Sequence, residues 1–254
     1  MNGKLNFSTT PTPLKIHSGS PHFRAEALRF LRGLKRNNDR EWFEARRAVY
    51  ERELKQPMLA ILEAITQAMI DFAPGHVRPA QKSLMRIYRD TRFSADKSPY
   101  KTQVAAWWTH NALSKTSGAG YYFHLSSTEF TIAAGVYMPP PEQLLAIRKH
   151  LLTHHEELRK LLDGKKLRRV MELHEPMALT RPPKGFPAAH PALDLIRWRQ
   201  WGVTATLPAE AALEPDMLGA IVSRFRLAAP LVDFLNGPLL SSSTPAKRVL
   251  FPLP

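Results

Sequence analysis

Between Arg86 and Lys101 the sequence runs Arg86-Ile87-Tyr88-Arg89-Asp90-Thr91-Arg92-Phe93-Ser94-Ala95-Asp96-Lys97-Ser98-Pro99-Tyr100-Lys101, five cations and two carboxylates in sixteen residues. A guanidinium is a rigid planar fork of donors that grips a carboxylate or a phosphate through two parallel hydrogen bonds. Arg86, Arg89 and Arg92, with Lys97, Tyr100 and Lys101, therefore form a candidate site for a small anionic ligand bearing phosphate or carboxylate. Asp90 and Asp96 can neutralise two of the cations, which leaves two readings. In one, the segment is a self-neutralised structural corner stiffened by Pro99, which holds Ser98 extended. In the other, the three cations in excess receive a ligand.

The same segment admits a second chemistry. Asp90, Asp96 and Lys97, with His124, are the candidate residues of a metal-dependent phosphate-ester hydrolase or nuclease-like enzyme, in which carboxylates hold the metal and a lysine faces the phosphate. Carboxylates ringed by arginines make a poor cation site, which weighs against it. His124 shares a predicted strand face with Tyr122 and Ser126 and could act as a general base. A third chemistry is nucleic-acid contact. Lys165, Lys166, Arg168 and Arg169 form the densest basic run, although such runs are commonly solvated helix ends. Trp107, Trp108, Tyr121, Tyr122 and Tyr137 fall on predicted strands, where exposed rings would stack bases and inward ones would build a core. Trp198 and Trp201, among Arg197 and Arg199, are expected to lie over a sheet edge.

No His-Glu-x-x-His motif and no cysteine occurs, so no metal-ligand set is expected. No Gly-x-Ser-x-Gly elbow or glycine-rich phosphate loop appears among the 12 glycines, so no cofactor is expected either. The net charge of +14 favours phosphate polymers, anionic ligands or an acidic protein as partners. The lack of cysteine and of an apolar run near the roughly 18 to 20 residues that span a bilayer points to a cytoplasmic protein without a membrane partner. The oligomeric state is left open.

The elements that must position these residues follow from periodicity. Phe23, Ala27, Phe30, Leu31 and Leu34 share one helical face, Asp39 can cap a helix carrying Trp42, Phe43 and Tyr50, and Pro57 starts a helix that turns Leu59, Leu62, Ile65 and Met69 inward. Four strands are then predicted, Leu84–Arg89, Val104–Thr109, Tyr121–Ser126 and Thr131–Met138, with a hairpin at Ser127-Thr128-Glu129. On the first strand, Arg86 and Arg89 would point to opposite faces, so one would be buried under a helical layer and need a partner. Helices Glu142–Leu152 and 156–162, an edge strand Val203–Leu207 ended by Pro208, and a last helix Pro215–Leu235 complete the chain. The expectation is one α+β domain over 21–237, a central antiparallel sheet of four to five strands flanked by N- and C-terminal helices. Residues 1–20 are expected to be a disordered tail and 238–254 a flexible one.

The motifs Asn38-Asp39-Arg40-Glu41-Trp42-Phe43, Arg86 to Lys101, Gly118-Ala119-Gly120-Tyr121, Lys184-Gly185-Phe186-Pro187 and His190-Pro191 follow in order along the chain. In this the chain resembles the uncharacterised family called domain of unknown function 2461, over roughly residues 21 to 237. The resemblance implies a single cytoplasmic domain and carries no activity or catalytic residue with it. The basic run at Lys165 has no counterpart in that pattern.

Overall fold

The computed structural model describes residues 20–114 and 117–242. The expected N-terminal tail, Ser20 apart, and the chain beyond Ser242 lie outside the described residues. Helix α1 (Ala25–Arg36) buries Ala27, Leu28, Phe30, Leu31 and Leu34 along one face. Asp39 caps α2 (Arg40–Glu44), its carboxylate accepting the Trp42 N–H at 2.8 Å. Helix α3 (Arg47–Tyr50) continues through one π-helical turn, Glu51–Lys55, into α4 (Gln56–Met69). The stripe that faces the core there is Met58, Ile61, Leu62, Ile65 and Met69. Leu59, expected inward, flanks that stripe, because Leu54 in the preceding turn already sets its phase. A single turn, α5 (Ala80–Ser83), precedes the sheet.

The sheet contains β1 (Gln103–Thr109), β2 (Gly120–Ser126), β3 (Glu129–Val136), β4 (Glu172–Leu173) and β5 (Trp201–Pro208). Every pairing is antiparallel, in the order β1-β2-β3-β5-β4. The hairpin at Ser127–Thr128 forms as expected, with Leu125 opposite Phe130. Three expectations are corrected. The segment 84–89 is no strand. It makes only isolated bridges, Leu84 to Ala106 of β1 and Tyr88 to Tyr100 in the chain just before β1. Without a ladder to fix alternate faces, neither arginine is driven under the helices: Arg86 is exposed and Arg89 half-buried. Strand β5 is interior rather than an edge, because Glu172 and Leu173 pair along its outer side, a two-residue strand too short to leave a periodic signal. Trp201, expected at the surface, is fully buried at the start of β5, while Trp198 is half-buried.

Helix α6 (Pro141–Leu162) joins the two expected helical runs across a kink at His154. Short helices α7 (Lys165–Arg168) and α8 (Leu193–Ile196) follow, and α9 (Met217–Ser242) ends the described chain. It passes through Pro230 and on through Pro238. The expected flexible tail therefore does not begin at Pro238, since Leu239 is buried and its packing holds the turn despite the missing proline donor. No helix among the described residues is long and apolar enough to cross a membrane.

Strict alternation divides the sheet into two chemistries. Trp108, Tyr121, Phe123, Leu125, Phe130 and Ile132 point to one face and are fully buried. Phe225 of α9 packs on them, 5.7 Å from Trp108 and 5.0 Å from Tyr121 between ring centroids. In the same helix, Asn236 accepts the Ala119 N–H at 2.8 Å and donates to the Ala119 carbonyl at 3.1 Å, just where Gly118 turns the chain into β2 with φ of 77°. Asn236→Leu leaves the Ala119 N–H buried and unpaired and its carbonyl with only the 3.3 Å contact to His76 Nε2. It should cost about 3 kcal/mol, read as a lower midpoint in chemical denaturation.

His76 is buried 5.0 Å from the Tyr121 ring, with Nε2 3.3 Å from the Ala119 carbonyl oxygen. Burial pushes its pKa down to about 4. The unfolded chain therefore takes up a proton, near pH 6.5, that the folded protein refuses until about pH 4. The His76 contribution is complete above pH 6.5 and is lost as pH falls towards 4, on the order of 3 kcal/mol. His110, His124 and His150, depressed by burial as well, add to the same slope. Urea denaturation between pH 7 and pH 4 should show this decline, and His76→Gln should flatten it.

Candidate anion-binding site

The arginine-rich corner splits into two populations. Arg89 binds Asp96, and Asp96 also accepts the Ser98 hydroxyl at 2.6 Å and the Ser98 N–H at 2.9 Å. The Ser98 hydroxyl and Arg89 hold that carboxyl well below the usual carboxylate range. Arg92 closes a two-pronged bond on Asp90 at 2.9 and 2.8 Å, which lowers the Asp90 carboxyl too. Lys97 donates to the Thr91 carbonyl at 3.0 Å. Tyr100 is turned inward: its ring stacks on Phe43 at 4.0 Å, and Asn38 clamps its backbone through bonds of 2.9 and 3.1 Å. Of the six expected ligand-binding residues, Arg89, Arg92, Lys97 and Tyr100 are thus absorbed by the architecture. Tyr100 is corrected outright, because an aromatic ring beside Phe43 gains more from the core than from solvent.

Arg86 and Lys101 behave differently. Both line a groove of about 840 Å³ on the sheet face opposite α9, together with Arg78 and Lys82. The Leu84–Ala106 and Tyr88–Tyr100 bridges hold Arg86 and Lys101 beside the start of β1, and Arg78 is tied to Thr109 at its end. The groove floor is a cross-strand row, Trp107, Tyr122, Ala133 and Thr204 in register, with His124 opposite Thr131 in the next row. Among the described residues no aspartate or glutamate is part of the groove lining and none of the four cations makes an ion pair. Glu172 stands opposite Thr204 at the end of the floor row, and Glu129 bonds His124. Burial and then the neighbouring Arg86 charge lower the Lys101 ammonium, and burial lowers Arg78. Lys101 and Arg86 are therefore like charges held near each other, with Lys101 half-buried and in no ion pair.

The groove walls also hold unused hydrogen-bonding capacity. Arg78 Nε, Ser83 Oγ and His124 Nδ1 are buried without a hydrogen-bond partner, and all three residues line this groove. Each such group costs about 1–3 kcal/mol when left unpaired. His124 is oriented by Glu129, whose Oε1 lies 3.0 Å from Nε2. Burial lowers the imidazole pKa, with Glu129 opposing the shift.

Family comparison follows the same boundaries. The family model described as conserved hypothetical protein (DUF2461) matches residues 26–234. The chain belongs to this family. The DUF2461 match encloses every strand and the whole groove, from Arg78 to Thr204. No curated protein matches the sequence. Several motifs that carried the resemblance prove architectural in this DUF2461 chain: Asn38 clamps Tyr100, Asp39 caps α2, and His190 bridges the Leu152 carbonyl at 3.1 Å and the Ala192 N–H at 3.1 Å.

The remaining candidates separate in space. Asp90 and Asp96 are each held by an arginine, and His124 lies on the sheet floor rather than in the corner. Among the described residues no three His, Asp or Glu side chains gather where they could hold a metal ion. Lys165, Lys166, Arg168 and Arg169 are exposed at α7, which buries only Leu167, and none of them lines the groove. Of the stacking candidates, Trp108 and Tyr121 belong to the core, whereas Trp107, Tyr122 and Tyr137 line the groove. Sequence reasoning missed Arg78, Lys82, Ser83 and His174. Their one legible signal was the strand alternation that put Tyr122 and His124 on one face; the approach of residues 78–86 to the β1 edge left none. Because the corner ion pairs are exposed, Arg89→Ala with Arg92→Ala should leave the denaturation midpoint nearly unchanged and speed proteolysis within 90–98.

Proposed function

We propose that this protein binds a small anionic ligand, bearing phosphate or carboxylate, in the groove walled by Arg78, Lys82, Arg86 and Lys101. The observation that carries the reading is the four cations lining one groove, two with pKa values lowered by burial, none of them in an ion pair among the described residues. A folded protein tolerates such repulsion where an anion can relieve it, and perturbed cations in a concave site are a recurring sign of function. The orphaned donors of Arg78 and Ser83 belong to residues of the same groove. Arg86 and Lys101 remain from the set the sequence singled out, and Arg78 and Lys82 replace Arg89 and Arg92. Lack of cysteine and the basic composition support a cytoplasmic setting for such a ligand.

Inorganic phosphate should raise the unfolding midpoint of the full chain, by about 2.7 kcal/mol of stability at a hundredfold excess over its dissociation constant. Arg86→Ala with Lys101→Ala should abolish the shift while leaving the ligand-free protein at least as stable, since mutual repulsion is removed. If the double variant keeps the phosphate response, or if phosphate and small carboxylates produce no response in the native protein, the reading fails. A response to DNA or RNA instead, fading with salt, would move the function to the general basic surface.

A further inference from the structure

Beyond the charge of the ligand, the groove floor speaks to its body. We infer that the groove takes its anion on a planar heteroaromatic group, the class represented by a nucleoside monophosphate. The inference rests on the anion-binding reading above. Gly120, Gly135 and Gly202 lie opposite one another in a single cross-strand row over β2, β3 and β5. A Cβ at any of the three would collide with a carbonyl oxygen, of Trp108, Trp201 or Ala134 respectively, and Gly135 has φ of 136°. Backbone geometry thus forbids side chains along this row, and Ala133 in the adjacent row adds only a methyl. The result is a bare strip on the groove floor at Ala133, Gly135 and Gly202.

Aromatic residues stand on both sides of that strip. Trp107 and Tyr122, 6.0 Å apart between ring centroids, lie on β1 and β2. Tyr137 and His174, 5.8 Å apart, follow β3 and β4, and the His174 N–H is bonded to the Gly202 carbonyl at 2.9 Å. A flat floor between ring-bearing walls fits a planar group, because base–aromatic stacking needs faces and tolerates identity. The orphaned polar atoms are independent of this shape. His124 and Ser83 are 8% and 2% exposed, and Nδ1 and Oγ respectively lack a partner. Together they supply acceptor and donor capacity, which suits a ring edged with nitrogens and exocyclic groups over a plain hydrocarbon. The four cations line the same cavity, and about 840 Å³ is within the range of small-molecule sites.

The test is calorimetric titration of the full chain with inorganic phosphate, ribose 5-phosphate and the four nucleoside 5′-monophosphates. At least one monophosphate should bind ten times more tightly than ribose 5-phosphate. Ala133→Val, a β-branched residue that suits a strand, should remove that margin by filling the strip while leaving ribose 5-phosphate affinity unchanged. Trp107→Leu, at a half-exposed ring, should also shrink the margin and serves if the valine variant does not fold. Equal affinities for ribose 5-phosphate and every nucleoside monophosphate would overturn the planar-body inference and leave the anion site standing. Failure of all three ligand types, phosphate included, would overturn both. Tighter binding of a single-stranded oligonucleotide than of any monophosphate would overturn the small-molecule assignment.

Discussion

Phe225 wedged against Trp108 and Tyr121 is the contact on which the rest of the molecule depends. It fixes α9 across the sheet, and α9 in turn carries Asn236 to the Ala119 backbone at the start of β2. Once that face is closed, strand alternation leaves no freedom. Every residue between the buried ones must point the other way, so Trp107, Tyr122, His124 and Thr131 share the opposite face. The groove is thus the complement of the core.

Electrostatics then divides the basic residues by reach. Arg89 and Arg92 sit within a few residues of Asp96 and Asp90, and local pairing in a tight loop satisfies them. Arg86 and Lys101 leave the loop at its two ends, where the chain returns to the β1 edge, and no carboxylate follows them. Arg78, which donates to the Thr109 carbonyl and to Asn111 at 3.2 Å at the other end of β1, lines the same groove with Lys82. Four cations lining one groove raise the free energy of the unliganded protein and lower that of any anion that enters, the same interaction seen from two sides.

Much of the scaffold was legible. Helical stripes in the first third, the Ser127–Thr128 hairpin and the four longer strands followed from periodicity because each buries a local face. The misassigned segment Leu84–Arg89 shows the limit. Its short apolar and aromatic run matched a strand, yet a ladder also needs a partner with continuous register, and the segment meets β1 only at the Leu84–Ala106 bridge. Strand β4 failed for the opposite reason, since two residues carry no period and exist as a strand only because β5 has a free edge.

The sequence by itself determined the class of the protein, α+β with an antiparallel sheet. It also determined the family, the surplus of positive charge and the pairing of His124 with Tyr122 on one strand face, because propensity, alternation and composition are local quantities. Only the tertiary structure decided which cations are neutralised and which remain, that Tyr100 belongs to the core, and that three glycines from three strands line up beside an aromatic row. Those outcomes depend on which distant segments lie against each other, through contacts that no local pattern encodes.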